Sequence, residues 1–333
     1  EVVREADVDR DDIYESVFVG NTAMHHLFLG IDPAYVAGSP YVAAREAPIA
    51  VKARELGIDI NEAGYIYWLP VSGGWVGPEK GSVLLVSGHY KEPETTVCID
   101  IGTNGEISVG NEDEMLVTSA PAGPALEGAE LRYGVRAQAG AIESMTVDPE
   151  TLEPSYETIE DEPPNGLCGS GVIDALAQLF EVGVLDQRGK FRDEVLDHPR
   201  IRTNEDGELE YVVAEAAEAA LAEDIVLTQN DIRSIQMAKA AIQAGTRVLM
   251  DELDIVNPDR VLMAGAFGNY IDKHSAMTIG MYPDIDPDDV VSLGNAAGVG
   301  AKLALLDRER RAEAERIVDT VEYFEIAGTD VFQ

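Results

Sequence analysis

Cysteine and lysine are the scarce residues of this 333-residue sequence, with only two cysteines, Cys98 and Cys168, and seven lysines. Two thiols cannot build a disulfide framework, a four-cysteine zinc site or an iron–sulfur cluster held within one chain. Basic residues as a whole number 24 against 62 acidic ones, a formal net charge of −38. That balance argues against nucleic acid as a partner, because a polyanion is repelled and no counterion release rewards binding. It argues equally against an anionic membrane surface. No apolar run approaches the roughly 20 residues that span a bilayer, and no basic stretch leading into an apolar one opens the chain. The sequence therefore reads as a cytoplasmic protein. It starts at Glu1 rather than methionine, which suggests a piece of something longer.

What is present is a 45% apolar share, enough for two domains with cores of their own. The acids are interleaved with periodic apolar residues instead of gathering in a block, so they predict a folded protein with an acidic shell suited to concentrated salt.

Short apolar runs alternate with longer helical patterns, which predicts an α/β fold with sheets covered by helices. Strands are expected at 16–19, 65–69, 95–101 and 260–263, and helices at 22–29, 172–182, 230–253 and 296–316. Thr228 and Asp231 make a capping pattern ahead of the long third helix, whose Ile232, Ile235, Ile242 and Leu249 share a face. Loops are expected at 32–48 and over the acidic, proline-rich stretch 150–165. Asn104-Gly105 between two apolar runs predicts a hairpin whose turn residues take positive φ.

Three glycine clusters carry the chemistry. Asp100-Ile101-Gly102-Thr103-Asn104-Gly105-Glu106 ends a central strand, where glycine lets amides approach a phosphate and Asp100 can hold a hydrated Mg²⁺. Asn165 to Gly171 sets flexible backbone and the Ser170 hydroxyl at a helix N-terminus, where amides and dipole favour an anion. Gly265-Ala266-Phe267-Gly268 joins a buried strand to a helix. Turns spread so widely suit a nucleotide in a cleft between two lobes better than a single Rossmann unit, and neither G-x-G-x-x-G nor a Walker A sequence occurs in them.

The strings Val19 to His26, Asp100 to Glu106, Ala122-Gly123-Pro124-Ala125-Leu126-Glu127-Gly128-Ala129, Gly166 to Gly171 and Ala264 to Tyr270 together resemble the C-terminal ATPase part of the reductive activators of corrinoid proteins. The resemblance runs in order over nearly the whole chain. It implies an actin-like, ribonuclease H-like α/β fold of two lobes around a nucleotide cleft, with 1–95 part of the first lobe and 96–333 the second. It implies ATP or ADP with Mg as ligands, and a [2Fe–2S] ferredoxin-like domain and a middle domain upstream in the same polypeptide. It further implies a corrinoid protein as partner, reduced from Co(II) to Co(I) at the expense of ATP, and a homodimer.

Position by position, the resemblance implies that Asp100, Gly102, Thr103, Asn104 and Gly105 form a second phosphate hairpin, with Asp100 on Mg through water. Gly265, Ala266, Phe267 and Gly268 form an adenosine turn, Gly123, Gly169 and Ser170 line the nucleotide, and Gln236 and Lys239 face the nucleoside. Glu127 is a candidate catalytic residue that orients water or metal, with a structural carboxylate as the alternative. His25 and His26 read as packing residues at a helix start. The family's cluster cysteines and an earlier Asp-Ile-Gly-Thr hairpin have no counterpart in this sequence. Two other functions fit the same features: a nucleotide-responsive docking module without turnover, and an activator of 2-hydroxyacyl-CoA dehydratase, in which cysteines of two subunits share a [4Fe–4S] cluster.

Overall fold

The computed structural model describes residues 2–265 and 270–329. A short helix, α1 (Val2–Glu5), precedes β1 (Glu15–Phe18), α2 (Thr22–Phe28), α3 (Ala34–Ala37), β2 (Ile49–Lys52), β3 (Tyr65–Trp68) and α4 (Pro78–Ser87). The three strands form a sheet of order β1-β3-β2, in which β1 runs parallel to β3 and β2 antiparallel to it. Phe18, Phe28 and Trp68 close its core, their ring centroids 4.7 to 5.6 Å apart. Asn21 caps α2 by accepting the Met24 amide at 2.8 Å, which sets the helix start.

The second part opens with a meander, β4 (Thr96–Ile101), β5 (Gly105–Gly110) and β6 (Met115–Ala120). An insertion follows, with β7 (Ala141–Val147), β8 (Pro154–Thr158), β9 (Gly166–Leu167), α5 (Gly169–Glu181), β10 (Ile201–Thr203), β11 (Leu209–Ala214) and β12 (Ile225–Thr228). The chain then forms α6 (Gln229–Glu252), β13 (Arg260–Ala264), α7 (Lys273–Thr278), β14 (Val290–Gly294), α8 (Ala296–Leu306), α9 (Arg308–Ile317) and β15 (Glu322–Tyr323). The main sheet has the order β14-β13-β4-β5-β6-β15, with β13 parallel to β4 and β4-β5-β6 antiparallel. The insertion contributes two three-stranded sheets, β8-β7-β9 and β10-β11-β12.

Burial explains these elements. Val97, Cys98 and Ile99 of β4 are fully buried, as a strand covered on both faces requires. The predicted face of α6, Ile232, Ile235, Ile242 and Leu249, is fully buried too, and the Thr228–Asp231 capping box opens the helix. Helices α4 and α8 meet through small residues: Ser82 Oγ donates to Ala297 O at 2.8 Å, and a Cβ on Gly300 would lie 2.4 Å from Ser82 O.

Four local expectations change. The hairpin turn is the three residues Gly102–Asn104, closed by the Gly102 amide on Asn104 O at 3.0 Å, and neither Asn104 nor Gly105 takes positive φ. Gly105 is instead a strand residue that leaves room for α6, since a Cβ there would lie 2.8 Å from Ile242 Cγ1. The expected final helix is two, because Asp307 is extended and its carboxylate caps α9 by accepting from Glu309 N at 2.8 Å. The stretch 150–165 contains β8, whose alternating exposed Ser155 and Glu157 fit a sheet edge that a charge count reads as loop. The loop at 32–48 contains α3, opened by Asp32 accepting the Ala34 amide at 3.0 Å and too short to show a helical period.

Candidate functional site

The hairpin delivers its residues to a cleft of about 710 Å³. Asp100, Gly102, Glu127, Gly169, Ser170 and Gly265, all candidates from sequence, line it together. The Asp100 carboxyl is half-buried at the end of β4 and takes no hydrogen bond from the described residues. Burial pushes it above the usual aspartate range, and the nearby Lys80 ammonium opposes that rise. Thr103 Oγ1 donates to Glu127 Oε1 at 2.8 Å, so the hairpin tip is tied to the 3-10 turn Pro124–Glu127. Gly123 enters that turn at φ 75°, a left-handed conformation that explains the glycine.

At the far wall, α5 begins with its glycines inside the first turn. Its N-cap residue, Cys168, supplies no side-chain cap, so the first-turn amides keep their donors for an incoming group. Gly171 is required by packing, since a Cβ would fall 2.2 Å from Ile142 O. Gly265 takes φ 119°, donates its amide to Gly294 O at 3.0 Å, and would place a Cβ 2.4 Å from Ile101 O. The turn after β13 is thereby pressed onto the end of β4. Ala266, Phe267 and Gly268 lie outside the described residues.

Other candidates stand elsewhere. Asn104 lines a separate cavity of about 340 Å³ with Tyr41, Trp75, Ser119 and Glu325. Gln236 and Lys239 line a small pocket of about 140 Å³ with Phe180, Asp186, Gly189 and Thr278. The isoleucine face of α6 is spent on the main sheet, and that rotation turns Gln236 and Lys239 toward the end of α5 and away from the cleft. Burial lowers the Lys239 ammonium from its ordinary value. His25 and His26 are buried on α2, where His26 Nδ1 lies 2.8 Å from Thr22 O and its Nε2 accepts the Ala44 amide at 2.9 Å. Cys98 and Cys168 are both buried free thiols.

Three residues escape the sequence reading. Arg136 lines the cleft, exposed and without an ion pair among the described residues. Glu79 and Lys80 enter from α4 beneath the hairpin: both Glu79 carboxylate oxygens are buried with no side-chain partner among the described residues, and burial, aided by Asp100, pushes this carboxyl far above its ordinary range. Their signal was a Glu-Lys pair just ahead of the apolar run Val83-Leu84-Leu85-Val86.

Among the described residues no group of three His, Cys, Asp or Glu side chains is placed to hold a metal ion directly. One carboxylate free of hydrogen bonds, beside glycine amides and a helix N-terminus, does fit a hydrated Mg²⁺ that arrives on phosphates.

A chain whose mixed sheet carries such a hairpin over a cleft of this kind has the actin-like ASKHA fold; the described lining of the cleft comes entirely from residues 100–295. It belongs to the RACo family: residues 94–333 match the model of the C-terminal domain of RACo, the ASKHA domain, and residues 1–92 match that of the RACo middle region. The middle-region model thus falls on residues assigned from sequence to the first actin-like lobe.

The chain is 39% identical, over its whole length and 56% of the relative, to the corrinoid activation enzyme RamQ of Eubacterium limosum. It is 25% identical to the [Co(II) methylated amine-specific corrinoid protein] reductase of Methanosarcina barkeri, over 77% of this chain and 48% of that one. A solved reductive activator for corrinoid, iron–sulfur protein superposes with a TM-score of 0.93 at 40% identity, over 99% of this chain and 53% of that one. The chain spans about half the length of these relatives.

Proposed function

We propose that this chain is the ATP-binding, ATP-hydrolysing module of a reductive activator that drives a corrinoid protein from Co(II) to Co(I). The observation that carries the reading is the convergence of Asp100, Gly102, Gly169, Ser170 and Gly265 on one cleft, in a family whose named relatives activate or reduce corrinoid proteins. In this reading Asp100 holds Mg²⁺ through water, the amides of the hairpin and of the α5 N-terminus receive phosphates, and Arg136 adds a charge to the same anion. Glu127 orients water or metal, with its carboxylate held in place by Thr103. Bound Mg²⁺ supplies charge neutralisation at the phosphates. Lobe closure on ATP then assists one electron on its way to the cobalt.

The electron comes from a [2Fe–2S] ferredoxin-like domain of the same polypeptide. The protein works as a homodimer in a salt-rich cytoplasm, away from nucleic acid and membranes. The division near residue 95 separates part of the first actin-like lobe from the second. Among the described residues no helix is long and apolar enough to cross a membrane.

Titration calorimetry with Mg-ATP tests the site. Asp100→Asn should weaken binding at least about tenfold, the order expected for a charge-assisted contact, while moving the thermal midpoint little. Equal affinities would take Asp100 out of the site.

A further inference from the structure

The interior beneath the hairpin holds a charge that the nucleotide reading leaves without a task. Lys80 is fully buried, and its Nζ donates to Cys98 O at 3.2 Å on β4 and to Glu106 O at 3.1 Å on β5. These carbonyls flank the hairpin's working end, since Cys98 stands two residues before Asp100 and Glu106 is the cross-strand partner of Asp100. The carboxyls of Glu79, Asp100 and Glu106 and the His89 ring are near enough to feel the charge of the ammonium, whose hydrogen bonds go to the two backbone carbonyls.

Lys80 breaks two local rules at once. A buried ammonium carries a desolvation cost of several kcal/mol, and a well-packed apolar side chain would join helix to sheet at least as well. It also sits in the first turn of α4, where the helix dipole disfavours a cation. Such violations, when retained, point to function.

Its placement suggests which function. Helix α4 lies in the segment that matches the middle-region model, whereas β4 and β5 lie in the ASKHA segment. The start of α4 is fixed on its other side, because a Cβ on Gly77 would lie 2.5 Å from Gly20 O. Further along, Ser82 joins it to α8, whose N-cap Asn295 lines the cleft.

We propose that Lys80 is a positioning residue of the nucleotide site: it clamps both strands of the hairpin to α4, so that Asp100, at the end of β4, is held where Mg-nucleotide needs it. This rests on the nucleotide reading above. Lys80 itself does not line the cleft.

The test is a double-mutant cycle read by Mg-ATP calorimetry on Lys80→Met, Asp100→Asn and the pair, with folding checked by circular dichroism and thermal midpoint. Lys80→Met should lower Mg-ATP affinity about tenfold, yet add little in the Asp100→Asn background, because both act through one carboxylate. A purely structural role would give losses that multiply. If Lys80→Met does not fold, Lys80→Met/Glu106→Gln, which also removes a stranded carboxylate, takes its place under the same criteria. Wild-type affinity in a folded variant, multiplying losses, or failure of both variants to fold each overturns the proposal. Wild-type protein that does not bind Mg-ATP overturns the nucleotide reading as well, which separates the two failures.

Discussion

His89 shows how a single buried side chain ties this fold to pH. Its ring lies between Ser87 Oγ at 2.7 Å and Ser108 Oγ at 3.1 Å, fully buried. Burial, reinforced by the charges of Lys80 and Arg260, holds it down at about 3 against an ordinary 6.5. The folded chain therefore keeps His89 neutral where the unfolded chain takes up a proton. Throughout that window the unfolded state binds more protons, so the contribution of His89 is complete above pH 6.5 and is lost as pH falls toward 3. Glu79 and Glu106, whose carboxyls burial raises, pull the other way, favouring the folded state as pH falls. Comparison with His89→Gln cancels them. The stability advantage of wild type over His89→Gln, from urea midpoints, should shrink steadily between pH 7 and pH 4. An advantage constant over that range would show that the folded protein lets the imidazole take up its proton as readily as the unfolded chain does, against the burial seen here.

At the scale of elements, the break between α8 and α9 rests on one carboxylate. Asp307→Ala removes the acceptor for Glu309 N at 2.8 Å and should cost about 1 kcal/mol, the usual worth of an N-cap, measurable by thermal or urea unfolding. No change would mean that tertiary packing alone places the break. Capping of this kind is local, and the Thr228–Asp231 box at α6 was legible in sequence for that reason. The hairpin, the buried β4 strand and the glycine-rich start of α5 were legible too, because each is written in residues adjacent in sequence. The turn type was not: Gly105 is dictated by Ile242, more than a hundred residues away, and no local pattern carries that. Gln236 and Lys239 share a helix face as expected, but the direction of that face depends on how α6 sits on the sheet. Lys80 and Glu79 acquire their meaning only from β4 and β5 folding against α4. Gly265 is likewise dictated from afar, since a Cβ there would strike Ile101 O on the end of β4.

For the whole molecule, the net charge of −38 is the dominant feature of the surface. Self-repulsion over that surface is screened as the Debye length falls from about 30 Å at 0.01 M to about 3 Å at 1 M. The thermal midpoint should rise steeply with KCl across this range, and a flat midpoint would mean that the acidic shell is no salt adaptation. The same molecule has its candidate cleft lined from the hairpin, the insertion and the turns after β13 and β14, with α4 and α8 meeting beneath. Closure on a nucleotide would alter how these parts present themselves to a partner, by as much as ATP prefers one arrangement over the other. Binding of the corrinoid protein, measured by titration with and without saturating Mg-ATP in the whole activator, tests this most directly. The account predicts an affinity change of about 5- to 150-fold, the range of a typical coupling, and an equal change in ATP affinity when the partner is bound. Identical partner affinity in the two conditions, with ATP shown to be bound, would contradict it.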